Sequence, residues 1–185
     1  MTLEGAAALP LASGPAAASA LRRGLLTGAG LLASEQLGLA QWCLDSTVSY
    51  LKERYQFGRP VGSFQALKHR LADVWLELVA ARAAARYAAD VLAHDAASGG
   101  AASDGSTGDA GDGSDAEVAV AVAQSYCGTV AVHAAEEAVQ LHGGIGMTWE
   151  HPAHLYLKRA KADELLLGTP GRHRATLADL TDIPT

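Results

Sequence analysis

Aromatic residues are scarce in this 185-residue chain: 5%, in a composition that is 49% hydrophobic. Alanine supplies much of the apolar content, a mixture that suits closely packed helices better than a sheet. An excess of positive charge is also missing. A net charge of −6 and a pI near 5.6 argue against nucleic acid or an anionic membrane as the main partner. Cysteine is limited to Cys43 and Cys127, both inside helical patterns and without metal-ligand spacing. They fit buried thiols in a reducing compartment, with pairing of the two as the alternative. No apolar run reads as long enough to span a membrane. The N-terminus lacks the order of a secretory signal, because Glu4 stands where basic residues belong and Arg22 and Arg23 follow the apolar part. The expectation is a soluble, cytoplasmic, single-domain protein.

What is present is helical periodicity. Residues 1–18 read as a flexible tail. Residues 19–55 carry Leu25, Leu32 and Leu39 seven apart, continued by Leu44, Val48 and Leu51. Within that stretch Gly28-Ala29-Gly30-Leu31-Leu32-Ala33 matches the dinucleotide fingerprint G-x-G-x-x-A, but no strand precedes it and no βαβ pattern follows. The glycines read instead as a place where another helix or a ligand comes close. Phe57-Gly58-Arg59-Pro60 then interrupts the helix. The next helix, over 64–97, has the cleanest apolar stripe: Phe64, Leu67, Leu71, Val74, Leu78, Ala81, Ala85 and Leu92. Residues 98–114 are Gly, Ser, Ala and Asp and read as a flexible loop. Helices follow over 115–142, 150–166 and 172–180, and residues 182–185 read as a tail. No strand-like alternation stands out. The expected fold is all-α: an antiparallel four-helix bundle over 19–181 with a short extra C-terminal helix.

The most informative stretch is Gln140-Leu141-His142-Gly143-Gly144-Ile145-Gly146, where a long helix runs into bare backbone. Glycines so placed either end a helix or let a ligand approach the main chain. Taken with Arg54-Tyr55-Gln56-Phe57-Gly58-Arg59-Pro60, Phe64-Gln65 and Gly168-Thr169, in that order, the chain resembles the C-terminal domain of acyl-CoA dehydrogenases from about Leu31 onward. The resemblance implies FAD as cofactor and α,β-dehydrogenation of an acyl-CoA thioester. It also implies a homo- or hetero-oligomer of such subunits, with each flavin near a subunit interface. Arg54 would bind the FAD pyrophosphate, since a guanidinium is always charged and donates two parallel hydrogen bonds. Phe57 and Gln65 would line the adenine–ribose side. Gln140, Gly143 and Gly144 would contact the flavin nucleotide of a neighbouring subunit, and Thr169 would place a hydroxyl near the flavin. His142, His151 and His154 lack a third ligand at a sensible spacing for zinc, and His133 reads as a core or interface residue.

The chain departs from the family pattern where the chemistry is done. A general base must reach the proton it abstracts. The positions where the family carries its glutamate are Leu167 and, in a minority of members, Gly28. Glu164 and Glu35 lie nearest in sequence and read as solvated charges. Gly171 stands where a second flavin-contacting glutamine is expected. The family's N-terminal helical and middle β domains are not recognisable in the chain. The sequence therefore reads as a base-less subunit or fragment that completes a flavin site in an oligomer. The alternative is a helical interaction module that has lost flavin binding.

Overall fold

A computed structural model describes residues 4–99 and 114–182 of the chain. Five helices dominate: α1 Gly14–Glu53, α2 Gln65–Gly99, α3 Ser114–His142, α4 Ala153–Leu165 and α5 Pro170–Leu180. Between α1 and α2 lie two-residue strands, β1 Tyr55–Gln56 and β2 Arg59–Pro60, and a 3-10 turn at Val61–Ser63. A second 3-10 turn, Gly143–Met147, follows α3. The all-α expectation holds.

Several boundaries move. The tail read over 1–18 is shorter, because α1 begins at Gly14 with Pro15 in its first turn, where a fixed φ and a missing N–H do no harm. The loop read over 98–114 lies outside the described residues except at its ends, where 98–99 and 114 are helical. The expected absence of strands gives way to a minimal hairpin. Tyr55 faces Pro60 and Gln56 faces Arg59, and the two turn residues, Phe57 and Gly58, both have positive φ, 54° and 75°. That is the turn geometry whose twist matches paired strands. A phenylalanine at the first turn position hides this signal in the sequence.

Helix α3 is the hub, packed against α1, α2, α4 and α5. Its buried positions are mostly alanine and valine, including Ala119, Val120, Ala123, Ala131, Ala135 and Ala138. Small side chains let neighbouring backbones approach closely, so a core poor in aromatics still fills. The sequence shows no apparent membrane span, yet Asp115–Met147 is long and apolar enough to be one. Its most apolar 18-residue stretch is 67% buried inside the fold, the placement of a core helix. The stripe on α2 is core as expected, with Val74, Leu78, Ala81 and Ala85 at 2% exposure or less. Gly30 occupies the decoy fingerprint on α1, and a Cβ there would overlap Leu92 Cδ1 of α2. Gly30 serves helix packing.

Candidate functional site

The helix end at Gly143 shapes the main candidate site. Gly143 takes a φ of +64°, the left-handed conformation that closes helices and that a side chain disfavours. A Cβ added at Gly143 or Gly144 would meet nothing within 4 Å, so their bare backbone faces open space. Gly146 differs. A Cβ there would lie 2.6 Å from Val139 O, so this glycine is required for packing.

The exposed backbone borders a recess of about 480 Å3, whose lining includes Tyr50, Arg54, Gln140, His142, Gly143 and Gly144. Residues 86 or more apart in sequence thus meet because α1 and α3 end at the same edge of the bundle. The last turn of α1 hands Arg54 to the recess: its N–H donates to Tyr50 O and its carbonyl accepts from Val61 N, so the backbone is anchored from both sides. Its guanidinium has no partner among the described residues. Arg70 also lines the recess, but Glu137 holds it at 2.8 and 2.7 Å in a two-pronged pair and raises its pKa. An incoming anion therefore meets Arg54 as the uncompensated charge. Arginine and an amide suit a phosphate or nucleotide, and backbone without side chains lets one come close.

Expected site residues divide into two groups. Arg54, Gln140, Gly143 and Gly144 converge on this recess. Arg54 and the Gln140–Gly144 stretch, which the sequence reading gives to flavins of different subunits, thus share one lining. Phe57, Gln65 and Thr169 lie outside it. Phe57 is 88% exposed at the hairpin tip, edge-on to Phe64. Gln65 faces His69 at 3.3 Å on the surface of α2. Thr169 caps α5, its Oγ1 accepting from Arg172 N. Cap and cofactor contact draw on the same residue type.

The two positions where a base was expected come together. A Cβ at Gly28 would lie 3.4 Å from Leu167 Cδ1, so the two alternatives point at one spot. Leu167 has a φ of 60° and Gly168 of 119°, a sharp backbone reversal between α4 and α5. Leucine and glycine at these two positions carry no carboxylate, and Glu117 borders the same recess as Leu167. Glu35 and Glu164, read as solvated charges, both sit in ion pairs at the surface. Glu35 Oε1 lies 2.6 Å from Arg159, and Glu164 Oε2 lies 3.3 Å from Lys161.

Histidines the sequence left without a role meet at this end of the bundle, with His142 buried and His151 partly so. His142 is 2% exposed, and its Nδ1 lies 2.7 Å from Ala138 O. Its ring lies 4.5 Å from that of Tyr50 and 4.1 Å from that of His151. The His151 pKa is lowered, first by burial and then by His142 and His154. His133 is partly exposed, with Nδ1 2.7 Å from Glu77 Oε2. Among the described residues no group of three His, Cys, Asp or Glu side chains is arranged to hold a metal ion. Cys43 and Cys127 are free and buried, and burial pushes both thiols up to about 12, far from a reactive thiolate.

Comparison with known proteins agrees with the motifs. The family model for the C-terminal domain of acyl-CoA dehydrogenase matches residues 18–180. The chain is 44% identical over 144 residues to acyl-CoA dehydrogenase IpdE2 of Mycolicibacterium smegmatis, covering 78% of this chain and 39% of that protein. It is 43% identical over 153 residues to acyl-CoA dehydrogenase FadE34 of Mycobacterium tuberculosis, covering 83% of this chain and 19% of that one. The fold superimposes on the ChsE4–ChsE5 complex of Mycobacterium tuberculosis with a TM-score of 0.71 at 29% identity, covering 87% of this chain and 39% of the other. It matches a steroid ACAD, Tcur3481–Tcur3483, with a TM-score of 0.69 at 33% identity, covering 85% and 39%. The chain thus spans well under half the length of these relatives and, within that span, belongs to the acyl-CoA dehydrogenase C-terminal domain family.

Proposed function

We propose that this chain contributes the Arg54–Gln140 recess to an FAD site shared with another acyl-CoA dehydrogenase-type subunit, in a cytoplasmic assembly, and supplies no catalytic base of its own. The observation that carries the reading is the convergence of an unpaired guanidinium, an amide side chain and unobstructed glycine backbone on one recess. These groups fit the phosphate-bearing part of a dinucleotide. When bound, the flavin supplies the hydride acceptor for oxidation of an acyl thioester. Arg54 would neutralise phosphate charge, Gln140 would hydrogen-bond the nucleotide, and the Gly143–Gly144 backbone would let it approach without a clash. Leu167 and Gly28 have no group that can accept a proton, so α-proton abstraction falls to the other subunit's own site.

Two further observations support a shared assembly. Leu76, Trp75 and Tyr87 on α2 are 59%, 53% and 61% exposed, an apolar surface uncommon on a lone domain. The solved relative ChsE4–ChsE5 is described as a complex of two differently named chains. An interaction module without flavin would use the same apolar surface but gives no reason for the open recess. The test is to purify the chain alone and together with a full-length acyl-CoA dehydrogenase homologue. Flavin absorbance that follows the mixed assembly supports the proposal; an assembly that forms with no flavin beyond the homologue's own complement sinks it.

A further inference from the structure

Beside the Arg54 recess, rings from three parts of the chain meet in a stack. Tyr50 lies in the last turn of α1, His142 is the last residue of α3, and His151 stands just ahead of α4. The His142 ring has Tyr50 on one side at 4.5 Å and His151 on the other at 4.1 Å. The stack is joined to the recess through the backbone. Tyr50 O accepts from Arg54 N, and His142 runs directly into Gly143.

The hydrogen bonds fix where the ring protons sit. A carbonyl only accepts, so His142 Nδ1, 2.7 Å from Ala138 O, carries a hydrogen. Its Nε2 is buried without a hydrogen-bond partner, so a second proton there would lack an acceptor. His151 Nδ1 instead accepts from the N–H of Ala153, the first residue of α4, at 3.3 Å. A proton on that nitrogen would turn acceptor into donor and place charge at the positive end of the α4 dipole. Burial, then His142 and His154, accordingly lower the His151 pKa. The other charged or titratable groups around the two rings are Tyr50 and Arg54 from the end of α1, Arg70 from α2, and His154 from α4. Glu137 of α3 is held by Arg70, and Glu150, which precedes His151, is exposed. Among the described residues neither carboxylate forms an ion pair with the two rings.

We propose that the Tyr50–His142–His151 stack positions Arg54 against the Gly143–Gly144 backbone, and that a proton on His151 releases this hold. His142 and His151 are positioning residues, acting through Arg54 and the glycines. The inference deepens the flavin reading, but its first test needs no flavin.

That test is amide hydrogen exchange of the full chain, read at each pH as protection relative to the unfolded chain. It runs from about pH 8 to about pH 5, the range in which an imidazole titrates. Protection of Ala153 and Leu155 at the start of α4 should fall together with that of Arg54 and Val61 at the recess. The released state binds the proton more tightly, so the loss begins in the ordinary imidazole range and continues down to the lowered His151 value. Its slope is at most about tenfold per pH unit, that of one proton. His151→Asn keeps a capping acceptor but takes no proton, and should remove the pH dependence at all four amides. His142→Ala should lower Arg54 protection at every pH, and His142→Phe, which keeps a ring in the stack, should restore it. In the assembly with a full-length homologue, FAD affinity should weaken over the same window, and more in the unsubstituted chain than in His151→Asn. Protection at Arg54 and Val61 that ignores pH, or the same pH dependence in His151→Asn, would overturn the proposal. The amide losses with no change in FAD affinity would uphold the stack and sink the flavin reading, so either can fail alone.

Discussion

Glycines 143, 144 and 146 stand within four positions yet do different things. Gly143 ends α3 through its positive φ, Gly144 leaves backbone open, and Gly146 makes room for the carbonyl of Val139. Replacing Gly146 with alanine puts a methyl group against rigid backbone and should cost about 1–3 kcal/mol. Gly144→Ala meets no atom within 4 Å and should change stability by less than about 0.5 kcal/mol. Urea unfolding of the two variants checks the contrast, and equal losses would contradict it. The sequence displayed the run of glycines but not this division, because the carbonyl that crowds Gly146 belongs to Val139, about two turns back in α3. Arg54 was legible through its motif. Its lack of a counter-charge was not, since that depends on Glu137 pairing with Arg70, 67 residues away in the chain.

At the scale of elements, α4 is tied to α1 by a buried acid. Asp163 is 1% exposed and lies 3.1 Å from Arg159, which also holds Glu35 of α1. Gln36 of α1 donates to the Asp163 carbonyl at 3.2 Å, and Trp42 stacks on Tyr156 at 3.6 Å. Burial, then the Glu35 charge, raises the Asp163 pKa, and Arg159 opposes them. A folded-state pKa above the unfolded value means that the native state binds the proton more tightly. The contribution of Asp163 to stability therefore falls as pH rises from the ordinary carboxylate range through the raised value. Melting temperatures measured against pH should show the unsubstituted chain losing ground to Asp163→Asn across that window. A difference between the two that does not vary with pH would contradict the assignment. None of this network was readable in sequence, where Glu35 and Arg159 lie 124 positions apart. The helices themselves were readable, most clearly α2, because its apolar residues recur at threes and fours over its whole length. The start of α1 was misjudged where Pro15 was taken as tail rather than as a first-turn residue. The hairpin is too short for any alternation to show.

As a whole molecule, the chain is a helical bundle with two recesses and an exposed apolar face on α2. The fold class was legible because alanine-rich periodicity leaves few alternatives. The grouping of site residues was only half legible. Motif order identified the family, but only the geometry shows that Arg54 and Gln140 border one recess while Thr169 caps a helix elsewhere. That geometry places the account's weight on Arg54. The direct measurement is FAD affinity of the assembly formed by this chain and a full-length acyl-CoA dehydrogenase subunit, with native mass followed in parallel. Arg54→Ala should weaken the flavin contributed through this chain by about tenfold or more, with assembly intact. Unchanged FAD affinity in both Arg54→Ala and Gln140→Ala, in an assembly of unchanged mass, would contradict it.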